Sequence, residues 1–167
     1  MFAKTYFDTP LGLVELEASD KGIRSLCFVD KPGEEHHPGH DHLVTCMDQL
    51  EEYFRGERML FNLMLDLEGT AFQQRVWRQL QGIPFGETSS YLSIAKQIEA
   101  PNAMRAVGHA CGRNKLWLLV PCHRVLSSDG KLTGYAGGLA RKRWLIQHER
   151  GVRHGQQMTL FNRRWEG

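Results

Sequence analysis

The chain has 167 residues, of which 41% are hydrophobic and 24% are charged, and this composition is typical of a soluble globular protein. No apolar run approaches the ~20 residues of a membrane span and the N-terminus does not resemble a signal peptide, so we expect a cytoplasmic protein without membrane contact. Residues 1–70 carry 14 acidic and 6 basic side chains, a net charge of −8, whereas residues 71–167 carry 5 acidic and 15 basic ones, a net charge of +10. This asymmetry predicts that the second half binds a polyanionic partner, the alternative being a solvated basic face.

The first 30 residues alternate between apolar and polar positions and contain two strong turn signals, which predicts a meander of three strands. A polar loop follows over residues 31–42. Apolar residues then recur at helical spacing until Gly56, and we interpret the apolar run at residues 59–67, MLFNLMLDL, as a further buried strand. The acidic half therefore predicts a small α+β domain over residues 1–68.

The basic half begins with helical patterns. Thr70 is a suitable N-cap for a helix that ends at Gly82. A second helix stops at Pro101, and Asn102 can cap a third helix over residues 103–112. Two short helices joined by a tight turn predict a helix-turn-helix, although ordinary helical hairpins in protein cores have the same pattern.

The third helix has two faces of different character at 100° per residue. We expect the apolar face to pack in the core, and it comprises Met104, Val107 and Cys111. The opposite face is basic and flanked by small residues, and it comprises Arg105, Ala106, His109, Ala110 and Arg113. Small residues let a helix approach a phosphate surface closely, and Arg105 is a candidate for insertion into a groove, the alternative being an ordinary solvated charge.

Cys122 follows a short apolar run, LWLLV at residues 116–120, which we interpret as a buried strand or strand-like segment that breaks at Pro121. A thiolate needs a lowered pKa, which a nearby imidazole can provide, and His123 is the next residue. Neighbours on a regular strand point to opposite faces, so pairing the two requires a bend or a bridging water. Glu149, on the following helix, has the position of a third group that orients the histidine.

The cysteines and histidines also allow two other interpretations, inert core thiols and a metal site. The four cysteines form no CxxC pair and are expected to be free thiols, which are most often inert core residues: Cys27, Cys46, Cys111 and Cys122. Four histidines crowd one loop near Cys27 in sequence: His36, His37, His40 and His42. Their spacing matches no zinc pattern, so we expect a flexible polar loop, no metal site and no cofactor.

The stretch from Thr70 to Glu149 resembles the active-site domain of the methylated-DNA–protein-cysteine methyltransferases, also called O6-alkylguanine-DNA alkyltransferases. The resemblance is carried by an ordered set of motifs: FQQRVWRQL, IPFGETSSY, MRAVG, VPCHRV and GYAGGLARKRWLIQHE. It implies an α+β fold in which a small ribonuclease-H-like N-terminal domain precedes a mostly helical domain over residues 69–151 with a helix-turn-helix. Residues 152–167 then form a basic tail. Residues 1–68 resemble the family's variable first domain only in size and pattern.

The resemblance also implies roles in the chemistry. The family's acceptor cysteine matches Cys122, its water-linked histidine matches His123 and its carboxylate matches Glu149. The asparagine hinge between recognition helix and active-site segment matches Asn114. Tyr91 matches the tyrosine whose hydroxyl assists the departing guanine.

Further matches concern the DNA. Arg105 matches the arginine that fills the gap left by a flipped base. Tyr135 and Ala136 match the lip of the base pocket, and Val125 matches the residue whose backbone reads the base. The remaining residues that we expect at the DNA or substrate surface are Ala106, Ala110, Arg113 and Trp117.

The implied activity is DNA repair by a monomer that binds double-stranded DNA and moves the alkyl group of O6-alkylguanine, and by extension O4-alkylthymine, to Cys122. Such a base must be flipped out of the duplex. The product is a thioether with no thiol-exchange route back, so each molecule reacts once. The rivals are a non-enzymatic sensor of alkylated DNA, which would lack the acceptor cysteine, a Cys-His hydrolase, and a plain helix-turn-helix regulator.

Three features depart from the family pattern or lie outside it. Lys115 stands where relatives have proline after the hinge, which loosens the segment and adds a candidate phosphate contact. Trp117 occupies a position that is smaller in relatives, and we hypothesise that it reshapes acceptance of bulky alkyl groups. QMTLF, at Gln157–Phe161, resembles a pentapeptide by which bacterial DNA enzymes bind the sliding clamp, the alternative being a tail that docks on the protein itself.

Overall fold

The first part of the chain forms the predicted three-stranded meander. In a computed structural model that describes the backbone of residues 2–132 and 134–166, and side chains as far as residue 155, the strands are β1 (Ala3–Thr9), β2 (Gly12–Ser19) and β3 (Gly22–Val29). They pair antiparallel in the order β1-β2-β3. Gly22 has φ of +151°, and a Cβ there would collide with the carbonyl of Met64, so the second turn requires glycine.

Helix α1 (Asp41–Phe54) covers this sheet, as the helical spacing predicted. Its inner face is fully buried and comprises Leu43, Cys46, Leu50 and Tyr53. The helix begins where the His40 ring accepts a hydrogen bond from the His42 amide, and the chain turns at Gly56 with φ of +76°. The sheet and α1 together form the small α+β unit.

The strand predicted at residues 59–67 is wrong. This segment is a loop whose backbone pairs with the sheet at Ile23, whose amide donates to the Met64 carbonyl and whose carbonyl accepts from the Asp66 amide. The Gln49 side chain makes two hydrogen bonds to the backbone of Asn62, so a side chain replaces the ladder that a strand would need. Met59, Leu60 and Met64 are exposed here, Met64 at 66%, whereas the other apolar residues of the segment pack partly buried against the core.

The second part of the chain is mostly helical. Helix α2 (Ala71–Gln81) has the predicted N-cap at Thr70, in a capping box with Gln73, and ends at Gly82. Strand β4 (Ser89–Ser90) pairs parallel with β5 (Val125–Leu126). Helices α3 (Tyr91–Gln97) and α4 (Met104–Gly112) pack on each other and on α2, which is the arrangement expected for the helix-turn-helix.

Three details predicted for α4 are wrong. Asn102 does not cap the helix, because the N-cap is Ala103 and it makes no side-chain capping bond. Met104, predicted in the core, is 43% exposed, whereas Ala110, predicted on the DNA-facing side, is 1% exposed. Ala110 is buried because the indole of Trp77 in α2 donates to its carbonyl and packs this side of α4 against α2. The buried face is therefore centred on Val107, Ala110 and Cys111.

The strand predicted at residues 116–120 is also wrong, although the segment is largely buried as expected. Its backbone pairs with β3 at Leu26, which bonds to the backbone of Lys115 and Trp117. Leu118 has φ of +76°, which a regular strand does not accommodate, and the Val120 amide closes a turn on the Leu116 carbonyl. The segment is a buried turn that leads directly to Cys122.

The last helix is α5 (Leu139–Glu166), and it contacts both the sheet domain and the helical domain. One continuous apolar core joins the sheet, α1, the three shorter helices of the second part, residues 116–125 and Leu145 of α5. The α+β fold class is thus confirmed: a small sheet domain is followed by a mostly helical one. Within the residues described, no helix has the length and apolar character needed to cross a membrane.

Candidate active site

Cys122 lies in a single turn of 3-10 helix, Cys122–Arg124, directly after Pro121. Successive side chains on such a turn are about 120° apart rather than opposite, so the turn provides a bend, one of the two arrangements predicted for pairing Cys122 with His123. All three residues are buried, with whole-residue exposures of 6% for Cys122, 0% for His123 and 7% for Arg124. Three consecutive reactive or charged residues are thus held inside the protein.

Asn114 holds the thiol. Its Nδ2 donates to Cys122 Sγ over 3.3 Å and to the Val120 carbonyl over 2.8 Å, while its Oδ1 accepts from the Leu116 amide over 2.9 Å. Burial raises the pKa of the Cys122 thiol, and the Asn114 hydrogen bond and the charge of Lys142 oppose that rise. Asn114 lies just after the C-cap of α4, so the outer helix and the thiol are connected through one buried amide.

His123 contacts Glu149, with Nε2 of the ring 2.8 Å from Oε2. Because the carboxylate only accepts, Nε2 carries the proton and Nδ1 carries the lone pair. Burial lowers the pKa of His123, so the ring is neutral near pH 7. Nδ1 is buried and has no hydrogen-bond partner among the residues that the structure describes, and no direct hydrogen bond joins it to Cys122 there. A neutral base thus lies in the same turn as the thiol.

Glu149 is bound by more groups than the sequence indicated. Arg124 donates from Nε to Oε1 over 2.7 Å and from Nη2 to Oε2 over 3.0 Å, and Tyr53 donates to Oε2 over 2.6 Å. Burial alone would raise the pKa of this carboxyl, but His123 and Arg124 outweigh it and hold the pKa well below its usual range. Glu149 is therefore an anion that orients the imidazole and does not take its proton.

Sequence reasoning missed Arg124, Tyr53 and Lys142. Arg124 stands next to His123, so its position in PCHR was a usable signal. Lys142 is fully buried, its Nζ donates to the Gly134 carbonyl over 3.3 Å, and burial lowers its pKa. Tyr53 lies 96 residues from Glu149 along the chain, and no local pattern connects the two.

Aromatic residues surround this centre. Trp117 donates from its indole to the Asn114 carbonyl over 3.0 Å and packs at 6.1 Å between ring centroids against Tyr135. Tyr135 lies 6.5 Å from the His123 ring, and its hydroxyl is buried without a partner among the described residues. Tyr91 begins α3, and the Lys142 ammonium lies 5.9 Å from its ring centroid. These rings form walls near the thiol.

The remaining predicted residues lie around these walls or on the surface. Val125 is buried in β5, where it pairs with Ser89, and Ala136 is exposed in the loop before α5. The outer face of α4 is exposed and comprises Arg105, Ala106, His109 and Arg113, whereas Ala110 lies inside. Lys115 is exposed as well. The backbone of the tail motif Gln157–Phe161 continues α5, but its side chains lie outside the described residues.

The other thiols and the histidine loop form no second centre. Burial raises the pKa of both Cys46 and Cys111 to about 12, as expected for inert core thiols. In the loop, His40 Nε2 lies 4.0 Å from Asp20 Oδ1 and its ring stacks on His42. Within the part of the chain that is described, no three His, Cys, Asp or Glu residues are grouped closely enough to hold a metal ion.

A buried thiol held by an amide donor, adjacent to an oriented neutral imidazole and joined to a helix with a basic outer face, defines a DNA-binding protein with a nucleophilic cysteine. Two family models match the chain: 6-O-methylguanine DNA methyltransferase, ribonuclease-like domain, over residues 2–67, and the DNA binding domain of the same family over residues 71–151. The chain belongs to the 6-O-methylguanine DNA methyltransferase family, which confirms the resemblance seen in its motifs.

Individual relatives agree with this assignment. A methylated-DNA–protein-cysteine methyltransferase of Mycolicibacterium paratuberculosis is 48% identical over 160 residues, which cover 93% of this chain and 96% of that protein. The crystal structure of the Mycobacterium tuberculosis O6-methylguanine methyltransferase is similar with a TM-score of 0.80 at 43% identity, covering 91% of this chain and 94% of that one. A crystal structure of Mycobacterium tuberculosis OGT in complex with DNA gives a TM-score of 0.81 at 45% identity, covering 88% and 92%.

Proposed function

We propose that this chain repairs O6-alkylguanine in double-stranded DNA by moving the alkyl group to Cys122. It is a methylated-DNA–protein-cysteine methyltransferase, and the observation that supports Cys122 as the acceptor is its hydrogen bond from Asn114 beside the His123–Glu149 pair. The other thiols described lack such a neighbourhood, and two of them have pKa values near 12.

The reaction follows from the protonation states. The thiol proton passes to His123 Nδ1 through a bridging water, and Glu149 stabilises the imidazolium through Nε2. The thiolate attacks the alkyl carbon, the bond from that carbon to the guanine oxygen breaks, and the electron pair stays on guanine. A proton donated to the departing guanine offsets this charge, a role for the Tyr91 hydroxyl. The product is a thioether, so the protein reacts once.

The DNA contact belongs to the outer face of α4. Arg105, Ala106 and Arg113 are exposed there, and small and basic residues suit close approach to phosphates. A base reaches Cys122 only by leaving the stack, which costs a few kcal/mol. Arg105 occupying the vacated position would offset part of this cost. We place Tyr135, Ala136, Val125 and Trp117 around the flipped base.

Intact mass before and after incubation with duplex DNA containing O6-methylguanine tests the proposal. A stoichiometric gain of one methylene is expected for the wild type and for Cys111→Ala, a matched change of a buried thiol, but not for Cys122→Ala. Repeated turnover would favour a hydrolase. DNA binding without a mass change would favour a sensor or a regulator, and either result contradicts alkyl transfer.

Trp117 bears on the size of the alkyl group. Its ring packs on Tyr135 and on Phe28, at centroid distances of 6.1 and 5.9 Å. The indole therefore narrows the space left for the alkyl group on this side of the pocket. We expect Trp117→Pro to change the ratio of the transfer rates for benzyl and methyl groups. An unchanged ratio would exclude a role for Trp117 in selecting the alkyl group.

The finer expectations concern partners and location. We propose that the chain acts as a cytoplasmic monomer, in keeping with four free thiols that suit a reducing compartment. We also propose that O4-alkylthymine is a second substrate.

Contact with the sliding clamp through Gln157–Phe161 rests on sequence alone. Clamp pull-down with full-length protein and with a chain ending at residue 155 tests it, and equal retention of the two would exclude the motif.

A further inference from the structure

One oxygen of Glu149 is shared between the two domains. Oε2 accepts from His123 over 2.8 Å and from Arg124 over 3.0 Å, both in the turn that carries Cys122. It also accepts from the Tyr53 hydroxyl over 2.6 Å, and Tyr53 belongs to α1 of the sheet domain. Tyr53 and Glu149 are each 1% exposed, so water does not compete for this hydrogen bond.

The Tyr53 ring is fixed by its surroundings. Its centroid lies 5.2 Å from Phe54, 5.3 Å from Phe61 and 6.0 Å from Phe85, in edge-on and tilted arrangements. The backbone is tied to α5 as well, because the His148 ring contacts the Tyr53 carbonyl at 2.8 Å. The hydroxyl therefore reaches Glu149 from a rigid support and forms its hydrogen bond without a large entropic cost.

We propose that Tyr53 is a positioning residue for alkyl transfer, through which the sheet domain sets the proton affinity of the His123–Glu149 pair. This inference rests on the proposed role of Cys122. The Tyr53 hydroxyl satisfies part of the negative charge on Oε2, so the carboxylate stabilises an imidazolium at Nε2 less strongly. His123 consequently stays neutral to lower pH and remains able to accept the thiol proton.

Several other groups act on His123, and of these Arg124 also donates to Oε2, from the turn that carries Cys122. Glu149 and Lys142 approach from α5, Arg124 lies on the same turn, and Tyr135 approaches from the loop before α5. Burial and the Glu149 charge raise the pKa of Tyr53 well above its ordinary value, so its hydroxyl stays a donor across the working pH range. The effect of Tyr53 on the proton affinity of His123 is thus constant across this pH range, and deleting a single oxygen removes it.

Tyr53→Phe deletes that oxygen and keeps the ring in its aromatic setting. We would measure the single-turnover rate of methyl transfer from saturating duplex DNA against pH. The ascending limb of the profile should move to higher pH by about one unit, because the imidazolium becomes more stable. At one pH unit below the wild-type midpoint, the rate should fall about tenfold, while the plateau rates should agree within about twofold.

Tyr6→Phe is a matched control, since Tyr6 donates to Glu15 over 3.0 Å on the sheet of the same domain, and it should leave the profile unchanged. In a Glu149→Gln background, Tyr53→Phe should produce no further shift, because the carboxylate through which it acts is gone. An equal rate loss at every pH would reveal a merely structural role and overturn the proposal, as would an unchanged limb or one moved to lower pH. Failure of the proposed function is distinct, because the wild type would then take up no methyl group.

Discussion

Replacing Arg124 by methionine tests how the charge of Glu149 is balanced. The side chains of Arg124 and Glu149 are 9% and 1% exposed, and two charge-assisted hydrogen bonds of 2.7 and 3.0 Å join them. A third bond, of 2.7 Å, joins Arg124 to the Ile83 carbonyl. Methionine fills similar space without charge, so Arg124→Met leaves a buried carboxylate without its cation.

The expected cost is large. Removing one partner of a buried ion pair destabilises a protein by about 3–5 kcal/mol, since the other charge stays desolvated. Small domains have only about 5–15 kcal/mol of stability in total, so the variant should be folded but marginal. Urea denaturation at pH 8 measures the loss. Arg55→Met is the control, because Arg55 pairs with Glu51 at 2.6 Å on the surface, with exposures of 62% and 49%, and should cost at most about 0.5 kcal/mol.

The loss should also depend on pH, with a sign that follows from His123. In the wild type its folded-state pKa is lowered below the unfolded value, so the folded protein binds fewer protons and loses stability as the pH falls below about 6.5. The Arg124 charge contributes to that lowering. Without it, His123 takes up a proton more readily and pairs with Glu149.

The destabilisation by Arg124→Met should therefore shrink by about 1 kcal/mol between pH 8 and pH 6. Urea titrations of both proteins at the two pH values give this difference directly. A loss below about 1 kcal/mol at pH 8 would show that Glu149 does not depend on Arg124. An equal loss at both pH values would show that His123 does not act as a replacement cation.

Three further substitutions test, one at a time, the hydrogen bond to the thiol, the stability of the fold and the contact with DNA. Asn114→Ala removes the donor to Cys122 Sγ, and single-turnover kinetics should show methyl transfer slowed about 10²-fold, with a loss under twofold contradicting the role of that donor. Thr70→Ala removes the capping box of α2 and should lower the free energy of unfolding by about 1 kcal/mol in urea, with an unchanged transfer rate at saturating DNA. Arg105→Ala should slow transfer from duplex DNA at least ~10-fold but not transfer from free O6-benzylguanine, and equal slowing of both would place Arg105 outside base flipping.

Local signals in the sequence predicted local structure well. Thr70 and Gly82 bound α2 because a capping side chain and a flexible C-cap act within one helical turn. The three strands followed from alternation and two turns, which are also short-range effects. Cys122 and His123 could be proposed as site residues because the motif around them is contiguous in sequence, and that assignment stays a prediction.

Contacts between distant elements decided the rest. The apolar run at residues 59–67 has strand-like composition, yet it pairs with the sheet only near Ile23 because the Gln49 side chain engages its backbone. The inner face of α4 depends on Trp77, which lies on another helix. Tyr53 and Glu149 lie 96 residues apart and are brought together by tertiary structure. Periodicity describes one element at a time, so it cannot indicate which neighbour an element meets.

Under the proposed function, the burial of Cys122 suits a thiol that reacts only once. Burial raises the pKa of Cys122, so at rest the residue is a thiol, and only the thiolate is a strong nucleophile. A permanent thiolate would be consumed by any small electrophile, and a thioether cannot be reversed by thiol exchange. A neutral His123 beside an anionic Glu149 instead provides a base that can create the thiolate when an alkylated base is in place. The lowered pKa of His123 and the raised pKa of Cys122 are therefore complementary, because each keeps its group in the neutral form from which a substrate-dependent proton transfer can start.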